Sequence, residues 1–207
     1  MKKQIINILT LKILNQILFA AILVVLSNHI VFADDIDDVK NLLREKFDYI
    51  INVLKNRNLG GEARKEKIED VIKPMFDFPL MSKLSLGREA WTAMTNEDQE
   101  KIIELFAHVF KHAYLNKILD YVDEDVIFTE SNQDGKKINI SSFIVGENKK
   151  IQVLYKFYQS GTGWIIYDVE VEGVSYIQTY RSQFSESLKE ITIKELMTKM
   201  EKLILSQ

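Results

Sequence analysis

The sequence predicts an α+β domain in which an antiparallel sheet of four or more strands packs against a layer of helices. Two observations carry this. Apolar residues recur at three- and four-residue spacing from residue 35 to about 119 and again from about 181, whereas between residues 126 and 179 they alternate at period two. The alternating runs are also joined by short glycine-bearing turns, which join antiparallel neighbours and leave no room for crossovers.

The elements follow in order. Lys2, Lys3 and Lys12 precede the apolar run Ile17–Leu26, and Ser27, Asn28 and His29 lead to Val31-Phe32-Ala33. This is the pattern of a secretory signal peptide covering 1–33 and cleaved after Ala33. Its alternative is an uncleaved anchor, disfavoured because the run is short for a membrane span. Residues 34–207 then form one domain. In residues 35–57, Val39, Leu42, Leu43, Phe47, Ile50, Ile51 and Leu54 mark an amphipathic helix, stopped at Gly60-Gly61. A shorter helix runs from Glu62 to about Lys73 and ends at Pro74. Residues 75–91 are apolar but broken by Pro79 and Gly87, so short helical turns are expected. Thr95 is the N-cap of the strongest helix pattern in the chain, with Asp98 as its capping-box partner. The apolar stripe of that helix is Ile102, Ile103, Phe106, Val109, Phe110, Ala113, Tyr114 and Ile118.

Strands are expected at 126–130, 136–145, 149–159 and 163–179. Asp134-Gly135, Gly146-Glu147-Asn148 and Gly161-Thr162-Gly163 supply the turns. Ile151, Val153, Tyr155 and Phe157 alternate strictly. In the last strand Ile165, Tyr167, Val169 and Val171 alternate with Ile166, Asp168, Glu170 and Glu172, after which the parity flips at Gly173. A bulge at that glycine would re-aim Val174 and Tyr176 onto the face of Val171. Helices at about 181–190 and 192–205 close the chain.

Composition narrows the function. The chain has no cysteine, so an exported form holds together without disulfides and cannot be a cysteine-acylated lipoprotein. This leans toward a bacterial envelope. Loss of Lys2, Lys3 and Lys12 with the signal takes the net charge from −3 to −6. No basic cluster of the kind that binds nucleic acid or anionic bilayers is present. Glu104, His108 and His112 share a helix stripe whose spacing can hold zinc, but a solvated helix face explains them equally, and no metal or other cofactor is expected. No GxSxG elbow or phosphate loop is present. Asp168, Glu170 and Glu172 read as a solvated strand face. What remains is wide apolar stripes on helix and sheet. Periodicity leaves open whether they touch as an ordinary core or stand apart around a cavity.

Three ordered segments resemble a known family. FDFPLMSKLSLGREAW (Phe76–Trp91) is similar to its FDF…M…LG..W element. Gln99, Phe106, Phe110, Tyr114 and Tyr121 follow its helix pattern. YDVEVEGVSYIQTYRSQF (Tyr167–Phe184) is similar to its YDV..EGVS…YR..F signature. The family is the soluble periplasmic phospholipid-binding component of the Mla lipid-transport system, also called the toluene-tolerance auxiliary family. The resemblance implies a helical layer wrapping a twisted sheet with a deep apolar pocket between them. It implies a periplasmic carrier in a Gram-negative bacterium that is not an enzyme. Such a carrier holds phospholipid acyl chains and passes lipid between an outer-membrane lipoprotein complex and an inner-membrane ABC transporter complex, which maintains outer-membrane lipid asymmetry. Onto this chain it places Leu86, Trp91, Phe106, Phe110, Tyr114, Val153, Tyr155, Val169, Val171, Val174, Tyr176 and Arg181 as lipid-binding residues. A hopanoid or other lipid carrier of a sister branch is the alternative. A lipid-processing enzyme built on the same pocket is a further one, disfavoured by the lack of a nucleophile–base pair.

Overall fold

The computed structural model describes residues 32–119, 124–147 and 149–206, with side chains described for 35–113, 124–147 and 149–206. The signal segment up to residue 31, the side chain of Tyr114, and Tyr121 lie outside the described residues. Backbone proximity divides the chain into Met1–Val39 and Lys40–Gln207, and the sheet and the site both belong to the second unit.

The helices are α1 (Phe32–Lys55), α2 (Gly61–Ile72), α3 (Phe78–Leu86), α4 (Arg88–Ala93), α5 (Asn96–Leu119), α6 (Tyr176–Ser187) and α7 (Ile193–Leu205). A 3-10 turn, Lys73–Met75, follows α2 and contains Pro74. The strands β1 (Asp125–Asp134), β2 (Lys137–Val145), β3 (Lys150–Ser160), β4 (Gly163–Val171) and β5 (Val174–Ser175) form one antiparallel sheet in the order β1-β2-β3-β4-β5. This is the predicted α+β class.

Local chemistry sets the boundaries. Asp77 caps α3 by accepting from the Leu80 N–H at 2.8 Å, and Pro79 occupies the first turn, where a missing N–H costs nothing. Gly87 has φ 79°, which lets the chain leave α3 and enter α4 directly. The Thr95 hydroxyl accepts from the Asp98 N–H at 3.1 Å. Thr192 and Glu195 form a reciprocal capping box on α7.

The last predicted strand is corrected. Glu172 and Gly173 have φ 52° and 77°, so they form a two-residue turn that pairs Val171 with Val174. The chain doubles back there and does not bulge, and α6 begins at Tyr176, five residues before the expected helix. A bulge does exist, but it lies at Tyr167: Lys156 pairs with Asp168 while Phe157 pairs with Ile166. The parity therefore changes earlier, and Ile166, Val169 and Val171 share one face, leaving Ile165 and Tyr167 on the other. The first strand also runs longer than expected, to Asp134, through a register shift between Phe128 and Ser131.

Two apolar clusters hold the helices. α3, α5, α6 and α7 bury Met81, Ile102, Phe106, Phe184, Met197 and Met200 among themselves. The α1–α2 hairpin has its own small core of Ile50, Val53, Leu54 and Ile68. Among the described residues, no helix is long and apolar enough to cross a membrane.

Candidate functional site

Between the helices and the inner face of the sheet lies a cavity of about 770 Å³. One wall is α1, with Leu43, Phe47, Ile50 and Leu54. The segment leading into α3 contributes Phe76, Phe78 and Pro79, and α5 contributes Ile103, Ala107 and Phe110. The sheet supplies Ile144, Ile151, Val153, Tyr155, Val169 and Val171, and Tyr176 reaches in from the first turn of α6. Charged side chains line it too, among them Lys46, Glu69, Lys73, Glu104 and Lys111 on the helical side and Glu124 and Glu172 on the sheet side. Lys73, Glu104, His108 and Glu172 are exposed and Lys46, Glu69 and Lys111 partly so, so the cavity meets solvent along this charged rim. Glu69 and Lys111 pair across the gap between α2 and α5.

Two elements of the sequence position these walls. In the first, the Phe76 backbone pairs with Ile166 and the Asp77 N–H donates to the Ile166 carbonyl at 2.9 Å, which lays the FDF segment along β4. The Tyr158 hydroxyl donates to the Asp77 carboxylate, and this bond, with burial, pushes the phenol up to about 12. Phe76 and Phe78 stack at 5.9 Å and both contact Phe110, at 5.2 and 5.6 Å, so one aromatic group closes this end of the cavity. On the opposite wall the Phe47 ring stands 5.9 Å from Tyr155 and 6.2 Å from Phe128, joining α1 to the sheet.

In the second, Asp168 organises the β4–α6 connection. It is buried at 4% exposure, which corrects the expectation of a solvated carboxylate. The Ser175 hydroxyl donates to it at 2.8 Å, the Ile177 N–H at 3.2 Å and the Lys156 ammonium at 3.0 Å. Glu170 also pairs with Lys156. Burial works against the charged ammonium, but its bonds to Glu170 and Asp168 outweigh it and hold Lys156 above the usual lysine range. Ser175 in turn accepts from the Gln178 N–H at 3.1 Å and caps α6. The tight turn and this carboxylate together aim Tyr176 into the cavity.

Of the residues singled out in sequence, Phe110, Val153, Tyr155, Val169, Val171 and Tyr176 line the cavity. Leu86 and Phe106 do not. They are buried in the interhelical core, where Phe106 meets Tyr180 at 5.1 Å and Phe184 at 6.3 Å, and Trp91 packs against the same core. Val174 is 57% exposed beyond the turn, and Arg181 is exposed on α6 near Gly87. The apolar stripe of α5 divides: Ile102, Phe106 and Val109 serve the helical core, Ile103 lines the cavity with the neighbouring Ala107, and Phe110 does both. The α1 wall was legible as an apolar stripe, but nothing in its spacing says that it faces a void. Among the described residues, no group of three or more histidines and carboxylates could hold a metal.

The chain matches a family model described as MlaC protein over residues 44–202. It is 21% identical over 126 residues to the toluene tolerance protein Ttg2D of Pseudomonas putida, an alignment that spans 60% of this chain and 59% of that relative's length. The fold is similar to that of a phospholipid-binding protein from Ralstonia solanacearum solved in complex with a phospholipid, at a TM-score of 0.72 and 19% identity, covering 80% of this chain and 96% of the other.

Proposed function

The chain belongs to the MlaC family, and from that premise we propose that it is a periplasmic carrier whose cavity holds the acyl chains of a phospholipid. It shuttles lipid between the outer and inner membranes and so maintains outer-membrane lipid asymmetry. An outer-membrane lipoprotein complex and an inner-membrane ABC transporter complex are its partners, and a signal peptide over residues 1–33 exports it. The observation that carries the lipid reading is the cavity itself: about 770 Å³ walled by aliphatic and aromatic side chains from both layers.

The magnitudes suit a two-chain lipid. If a methylene needs about the volume of one liquid water, about 30 Å³, the cavity takes about 25 methylenes. At about 0.8 kcal/mol each, sheltering them from water is worth about 20 kcal/mol. A carrier must match nearly all of this with apolar wall, because the bilayer already does. No nucleophile–base arrangement is needed for that work.

Native mass spectrometry of protein purified from the periplasm tests the proposal. A two-chain phospholipid should travel with the protein at one per chain. A co-purified hopanoid would move the assignment to the sister branch. Protein that emerges empty and hydrolyses esters would overturn it in favour of an enzyme.

A further inference from the structure

Beside the large cavity lies a second, smaller one of about 140 Å³, lined by Lys65 of α2, His108, Lys111 and His112 of α5, and Ile204 of α7. Four of its five wall residues carry nitrogen donors, and no carboxylate lines it. Its volume equals that of about five liquid waters, which matches the five heavy atoms of a phosphate group. His108 and Lys111 line both cavities, so the two adjoin at those side chains.

We infer that this small basic pocket seats a phosphate group, and in particular the phosphodiester of the lipid whose chains occupy the large cavity. The inference rests on the carrier proposal for its ligand but not for its geometry. In a glycerophospholipid the phosphate is a few bonds from the acyl esters, so it must fall close to where the chains enter. Around that opening the large cavity's lining is of mixed charge: Lys46, Lys73 and Lys111 stand among Glu69, Glu104, Glu124 and Glu172, with Glu69 and Glu124 already paired to Lys111 and Lys149. The small pocket has cationic and imidazole side chains in its walls and no carboxylate among them, Glu69 touching it only through its ion pair with Lys111. Glu69 holds the Lys111 ammonium from the α2 side, which fixes that donor at the boundary between the two cavities. Lys65 has no hydrogen-bond or ion-pair partner among the described residues and is half-buried, so its charge is available to a ligand. His108 and His112 sit one turn apart and both line this pocket, where an imidazole N–H can donate to an anion. The histidine pair that reads in sequence as a solvated face thus becomes half of an anion site, with lysines contributed from two helices.

The test uses the delipidated full chain and two pyrene-labelled probes with the same acyl chains, phosphatidic acid and diacylglycerol, each offered from identical phosphatidylcholine vesicles. The wild type should take up the phosphate-bearing probe about tenfold better. Lys65→Gln/His112→Gln, which leaves every residue of the large cavity intact, should bring that ratio close to one, with folding checked by circular dichroism. A parallel calorimetric titration with inorganic phosphate separates the sources. If the uptake ratio is unchanged but phosphate binding is lost in the variant, the site is real and takes free phosphate. If neither the ratio nor phosphate binding changes, the inference is overturned. If the wild type takes up neither probe, the carrier proposal fails by itself, and the phosphate titration alone decides the fate of this site.

Discussion

Replacing Val171 with glutamate puts the cavity to its hardest test. Val171 lies on the inner face of β4, opposite Val153 on β3, and lines the cavity. It is half-buried, and its exposed surface faces a space that admits water when lipid is absent, so Val171→Glu should fold. An acyl chain entering the site would have to dehydrate the carboxylate, and the cheapest escape is protonation. From a reference pKa of about 4.3, protonation at pH 7 costs about 3.7 kcal/mol, an affinity loss of about 500-fold. Burying the neutral acid without a partner adds about 1–3 kcal/mol. The sign of the pH effect follows: protonation becomes easier by about 1.4 kcal/mol for each unit of acidification, so binding should recover about tenfold per unit between pH 7 and pH 5. Val171→Gln should lose affinity without any such pH dependence. Pyrene-lipid uptake from vesicles across this range, with circular dichroism at each pH, gives the measurement. A folded Val171→Glu protein that carries a full complement of lipid at pH 7, or one whose loss does not respond to pH, would refute the assignment of this face to the acyl chains.

Gly173 has φ 77° while Gly161 lies outside the left-handed region, and a methyl group at either meets open space. Gly173→Ala should therefore destabilise by about 1 kcal/mol in urea unfolding, and Gly161→Ala should be neutral or slightly stabilising. Tyr158 has its phenol raised to about 12 by Asp77, so the folded state holds a proton that the unfolded chain releases near 10; stability should fall as pH rises from about 10 to about 12, and Tyr158→Phe should flatten that slope. Thr192→Ala removes the capping box of α7 and should cost about 1 kcal/mol, read as a lower melting temperature. N-terminal sequencing of the exported protein should begin at or within a few residues of Asp34, and retained Lys2 and Lys3 would disprove cleavage.

The amino-acid sequence by itself determined the class of the fold and most of its elements, because those depend on neighbours along the chain. Period-two alternation at Ile151, Val153, Tyr155 and Phe157 makes a strand with one apolar face wherever it packs. Thr95 with Asp98 and Pro79 after Asp77 start helices through bonds within one turn. The YDVEVEGVS segment was legible as something special, and the family resemblance lay in the same residues, but its geometry was not. A glycine two residues after Val171 fits a bulge or a turn equally well, and the difference shows in partners beyond it: β3 already brings Lys156 to the buried Asp168, and the tight reversal at Glu172-Gly173 brings the Ser175 hydroxyl and the Ile177 N–H to the same carboxylate. The same limit applies to the cavity. Phe106 and Phe110 are alike in sequence, one turn apart on one stripe and buried in one core, yet Phe106 meets only that core, against Tyr180 and Phe184, while Phe110 also lines the cavity beside Phe76 and Tyr176. Periodicity reports that a side chain avoids water. Whether protein or a void lies across from it depends on how far apart α1, α5 and the sheet are held, and that separation is set by contacts such as Phe47 on Tyr155 and Phe110 on Phe76, which join residues remote in the chain.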